Sequence, residues 1–88
     1  MFRQEPNKDG LSWMPSVPRI TGAEAKKAFG KAGFLQDRMK DSHCILKKPG
    51  HKYILSIPMH GNKILGLGLL KSQIDAAGLT VEQFNALL

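Results

Sequence analysis

The chain has 88 residues, 13 of them Lys or Arg against seven Asp or Glu, for a formal net charge of +6. That length carries one hydrophobic core, because two would each fall near about 40 residues, where folding needs metal or disulfide support. A 42% hydrophobic and 23% charged composition excludes a wholly disordered chain.

No apolar run approaches the roughly 20 residues of a membrane span, and the amino terminus lacks the basic-then-apolar pattern of a secretion signal. With no such run, no membrane partner is expected, and the single cysteine, Cys44, which excludes an internal disulfide and a zinc cage, makes a cytoplasmic setting the expectation. The charge is unevenly placed. Residues 26–63 hold nine bases against Asp37 and Asp41, a net of +7, whereas residues 1–18 sum to zero. Such a segment suits a polyanion, nucleic acid above all, or else a solvated face that keeps the chain soluble.

Residues 1–18 contain Pro6, Pro15 and Pro18 with no usable periodicity, and read as an extended arm with Trp13 and Met14 as its anchors. A single domain is expected over 19–88. Thr21 and Glu24 form a capping box, after which Ala25, Ala28, Phe29 and Ala32 make a helical stripe that Gly33 ends. Gly30 inside this helix costs about 1 kcal/mol relative to Ala.

Three strands are expected at 34–40, 43–47 and 53–57, the third stopped by Pro58 and the last two joined by the turn 48–52. Alternation puts Cys44 and Leu46 on one face and His43, Ile45 and Lys47 on the other. A helix over about 67–77 follows, with Leu67, Leu70, Ile74 and Ala77 on one face and Gly78 as its stop. A second capping box, Thr80 with Gln83, opens a short helix with Val81, Phe84 and Leu88 inward. The fold class is α+β: a helix, a three-stranded antiparallel sheet, a helix and a short C-terminal helix.

The chemistry available is narrow. No HExxH, CxxC, GxSxG or phosphate loop is present, and Gly66-Leu67-Gly68 lacks the rest of a dinucleotide fingerprint. Two-metal phosphodiester cleavage needs several convergent carboxylates, which are scarce here. Three histidines remain: His43, His51 and His60. RNA carries its own nucleophile, so a histidine that removes the 2′-hydroxyl proton, with cations facing the oxyanion, suffices for transesterification. Each histidine also has a plainer reading: His43 as a strand surface residue, His51 as an exposed turn residue, His60 as a turn cap. Cys44 reads as a small core residue.

Taken together, Pro18-Arg19-Ile20-Thr21-Gly22, Ala32-Gly33-Phe34 and the run from Arg38 to Ser42-His43 resemble the HicA-type toxin family of bacterial toxin–antitoxin modules. Ser56-Ile57-Pro58-Met59-His60-Gly61-Asn62-Lys63 resembles the family's "VPxHG" segment, and Leu70-Lys71-Ser72-Gln73-Ile74 through Ala77-Gly78-Leu79 its final helix. The pieces are collinear over about residues 18–79. The resemblance implies a fold like the double-stranded-RNA-binding domain (dsRBD-like). It also implies an mRNA-cleaving endoribonuclease that uses no metal or cofactor and is silenced by a HicB-type antitoxin.

By the same resemblance, the catalytic histidine after the family's "GS" step corresponds to His43, and His60 matches the "VPxHG" histidine as a site-lining residue. Arg38, Lys40, Lys47, Lys48 and Lys63 are then the phosphate-binding cations, with Ser42 placing the imidazole. Two positions depart from the pattern. Asp41 replaces the usual Gly before Ser-His, where it either orients His43 or opposes RNA. Leu69 stands where a Thr or Ser commonly opens the last helix, weakening that cap by about 1 kcal/mol. Family chains often begin near Met14, so residues 1–13 are either an extension or an upstream start. The alternative function is a non-catalytic RNA-binding module, in which the lysines matter and His43 does not. A pure protein-interaction module would show no salt-dependent RNA affinity.

Overall fold

The computed structural model describes residues 16–88; the expected anchors Trp13 and Met14 lie outside them. The described residues form α1 (Gly22–Lys31), β1 (Leu35–Lys40), β2 (His43–Lys47), β3 (Leu55–Pro58), α2 (Leu67–Ala76) and α3 (Val81–Asn85). The strands make one antiparallel sheet in the order β1-β2-β3. This is the expected dsRBD-like arrangement.

Both helix starts read from sequence carry the hydrogen bonds that define a capping box. Glu24 N donates to Thr21 Oγ1 at 3.2 Å, while Glu24 Oε1 accepts from Thr21 N at 2.9 Å. Gln83 N donates to Thr80 Oγ1 at 3.0 Å, and Gln83 Oε1 accepts from Thr80 N at 2.9 Å. Each box satisfies amides that have no partner within their own helix. Gly33 (φ 102°) and Gly78 (φ 79°) end α1 and α2 in backbone conformations that other residues reach only at a cost.

The core lies on one face of the sheet. Ala25, Ala28 and Phe29 of α1 meet Cys44 and Leu46 of β2, Leu55 and Ile57 of β3, and Leu70 and Ile74 of α2. Phe29 packs edge-on against Phe34 at 6.2 Å between ring centroids, and tilted against Phe84 at 4.8 Å. Aromatic burial of this kind makes α3 part of the core, and Leu87 packs beside it. Three sequence expectations are corrected here: Leu88 and Leu67 are exposed rather than inward, and Phe34 precedes β1 as a core residue. Ile45 faces away from the core cluster, as expected, yet is buried.

The largest difference concerns the connection from β2 to β3. Pairing of these strands begins only at Leu46↔Leu55, so residues 48–54 form a longer connection than expected and Tyr53 lies outside the strand. The cause is His51, which is half-buried rather than solvent-exposed. Its ring stands edge-on to Phe34 at 5.1 Å, and Nε2 lies 2.7 Å from the Ala76 carbonyl oxygen. A carbonyl only accepts, so Nε2 carries the proton. The turn is thereby drawn onto the C-terminal end of α2. Replacing His51 by Ala removes both contacts and is expected to lower stability by about 1–2 kcal/mol, read by denaturant unfolding.

The other constraint is steric. A Cβ built on Gly22 would stand 2.1 Å from the Pro58 carbonyl oxygen, a backbone atom that cannot swing aside. Gly30, in the same helix, has nothing within 4 Å of its added Cβ. The matched substitutions should therefore have opposite signs. Gly30→Ala is expected to raise the unfolding free energy by up to about 1 kcal/mol, and Gly22→Ala to lower it by about 1–3 kcal/mol. Thermal melts of the two variants beside the parent chain check both signs.

Candidate active site

The turn joining β1 to β2 is two residues long, Asp41-Ser42, because Lys40 and His43 are directly paired across it. Asp41 has φ 55°, the left-handed region, and is the one non-glycine residue so placed among the described residues. The family's glycine at this position thus has a backbone reason: this turn needs a positive φ, which an L residue adopts at a cost of about 1–2 kcal/mol, less for Asp than for most. The tight turn delivers His43, half-buried, at the very start of β2.

Across the sheet, His43 pairs with Pro58, the last residue of β3. Beyond it, Met59 N donates to the Ser42 carbonyl at 2.7 Å. The chain then turns at His60-Gly61-Asn62-Lys63, with Gly61 at φ 60° and Lys63 N donating to the His60 carbonyl at 3.1 Å. It is secured again where Leu65 N donates to the Ile20 carbonyl at 2.8 Å and Ile64 bridges to Thr21. The loop that carries His60 and Lys63 is therefore tied to β2 at one end and to the entry of α1 at the other.

These ties enclose a cleft of about 220 Å³ lined by His43, Pro58, His60, Lys63, Ile64, Leu65 and Gly66. Gly66 is also the N-cap of α2, and no side chain among the described residues caps that helix. Its first amides lack intrahelical acceptors, and a helix N-terminus of this kind favours an anion. Gly66 and Gly68 both have open space where a side chain would stand, so a ligand's backbone approach is unobstructed. Sequence reasoning missed this element. The helix starts at Leu67, as expected, but its cap is Gly66 rather than Leu69, and the Gly-Leu-Gly run was the available signal.

The predicted site residues divide into two groups. His43, His60 and Lys63 share the cleft. Ser42 adjoins it through its carbonyl, and Lys40 lies opposite His43 in the β1–β2 pairing. Lys47 and Lys48 lie at the other end of β2, roughly 13 Å from His43 at strand rise, beside a separate groove shared with Leu35, Gln36, Asp37 and Pro49. Lys48 places its ammonium 5.6 Å from the Phe34 ring centre.

Arg38 is already engaged. The pairing register slips between Gln36 and Arg38, making Asp37 the extra residue of a bulge. Asp37 accepts from Arg38 and stands 3.6 Å from Lys47 Nζ. The Arg38 hydrogen bond, and then the two positive charges, hold the Asp37 carboxyl below its usual pKa. Among the described residues, no three His, Cys, Asp or Glu side chains gather as a metal site, and no helix is long and apolar enough to cross a membrane.

A family model described as the HicA toxin of bacterial toxin–antitoxin matches residues 22–79, from the start of α1 through the end of α2 and the residues that follow it. No curated protein matches the chain. The matched span contains β1, β2, β3 and every residue that lines the cleft. It covers well over half of the sequence, in a fold whose helix–sheet–helix order agrees: the chain belongs to the HicA toxin family of bacterial toxin–antitoxin systems.

Proposed function

We propose that the chain is an endoribonuclease that cleaves mRNA without a metal, and that a HicB-type antitoxin silences it. The observation that carries this reading is the meeting of His43, His60, Lys63 and the uncapped start of α2 around one cleft. A phosphodiester seated there would face an ammonium and helix amides on its non-bridging oxygens, with an imidazole beside its ribose. His43 is the general base. It takes the proton from the 2′-hydroxyl, whose oxygen then attacks the adjacent phosphorus. Ser42 places the His43 ring by fixing the residue before it, through the bond from Met59 to its carbonyl. DNA, lacking the 2′-hydroxyl, would bind without reacting.

The remaining cations act by position. Lys40, beside His43, and Lys63 hold phosphates at the scissile site. Lys47 and Lys48 track the strand farther along β2, while Arg38 does so in competition with Asp37. An antitoxin surface that is acidic around the cleft would cover His43 and steer the two proteins together.

The deciding experiment is cleavage of a long single-stranded RNA in chelator. His43→Ala should lose at least about 10²-fold in rate while keeping its melting temperature and its RNA affinity. RNA bound but uncut by the parent chain would favour the non-catalytic RNA-binding module instead. Lys63→Ala should weaken binding and reduce the slope of log affinity against log salt by about one. Asp41→Gly should raise stability by up to about 1 kcal/mol by relieving the left-handed residue, and should tighten RNA binding by removing a carboxylate near the site.

A further inference from the structure

Among the seven described residues that line the cleft, His43, His60 and Lys63 carry protons that a reaction can move; Pro58, Ile64, Leu65 and Gly66 do not. Cleavage needs two proton transfers, one from the 2′-hydroxyl and one to the departing 5′-oxygen. The geometry supplies a place for both. Pairing of β2 with β3 sets His43 opposite Pro58, and the Met59-to-Ser42 bond carries the same register one step beyond the strand. His60 follows Pro58 by two residues, at the head of the turn, and lines the same cleft as His43. At about 220 Å³ that cleft has room for a phosphoryl group beside both imidazoles.

We propose that His60 is the general acid of the reaction, an assignment that rests on the endoribonuclease reading. The 2′-oxygen gives its proton to His43 and forms the new P–O2′ bond. The P–O5′ bond breaks, and His60, entering as imidazolium, passes its N–H proton to the leaving 5′-oxygen. The products are a 2′,3′-cyclic phosphate and a 5′-hydroxyl. No electrons are transferred, and exchange of one proton with water restores both rings. Lys63 is a poor candidate for this step, since an ammonium releases its proton at far higher pH than an imidazolium. Position also separates the roles. His43 is half-buried on a strand, whereas His60 is exposed on a turn and so is the more open of the two to a departing product.

The test compares two short RNAs with a single cleavable linkage, one with the ordinary 5′-oxygen and one with sulfur in its place. A thiolate leaves without needing a proton. His60→Ala and His60→Gln should lose about 10²–10⁴-fold on the oxygen substrate and cut the sulfur substrate at close to the parent rate. His43→Ala should be slow on both. The parent pH–rate profile should be bell-shaped, and His60→Ala should lose its falling alkaline limb. Circular dichroism melts confirm that each variant is folded. Equal impairment of the His60 variants on both substrates, or full activity on the oxygen substrate, would overturn the assignment. So would sulfur rescue of His43→Ala, which would exchange the two roles. If the folded parent chain cuts neither RNA, the endoribonuclease reading itself falls, and the general acid with it.

Discussion

The site depends on a point where two backbones touch. Gly22, the first residue of α1, lies so close to the Pro58 carbonyl that no side chain fits between them. Pro58 ends β3, so this contact fixes where the sheet stops and in which direction the following loop leaves. Thr21 and Ile20, immediately before Gly22, then receive the far end of that loop through Ile64 and Leu65. A segment of three residues, Ile20-Thr21-Gly22, thus starts a helix, abuts a strand and anchors a loop. The capping box at Thr21 serves more than α1, since it holds the surface against which the cleft wall is built.

The positive charge that dominates the middle of the sequence is distributed by the fold. One part surrounds the cleft. Another lies at the far end of β2, where the Asp37 bulge draws Arg38 and Lys47 toward a carboxylate. Arg38 and Lys47 are half-exposed, so Asp37 offsets part of their charge without withholding them from a polyanion. Near His43, Lys40 and Lys63 enter no ion pair among the described residues, and the nearby carboxylate is Asp41, in the turn before His43.

Much of the fold was legible in the sequence because its signals are local. Thr21-Glu24, Thr80-Gln83, Gly33 and Gly78 each act within a few residues, and each behaves as its chemistry dictates. The misses have long-range causes. His51 meets Ala76 and Phe34 across 25 and 17 positions, so nothing near it in the chain announces that it is packed. Leu87 rather than Leu88 turns inward because α3 is too short for its periodicity to choose between them. For the site, the family pattern marked His43 as catalytic and His60 as lining the same site, and one cleft is lined by both. The bare start of α2 was hidden for a different reason: what matters there is a side chain that is missing.

The hydrogen bond from Met59 to Ser42 joins the residues that immediately precede His60 and His43. Because both atoms belong to the main chain, the interval between the histidines does not depend on which side chains occupy positions 42 and 59. Ser42 and the exposed wall residue Ile64 can change in size or polarity and leave that backbone tie intact. Selection on target preference and selection on reactivity can therefore proceed separately in this fold, one written in side chains and the other in the backbone.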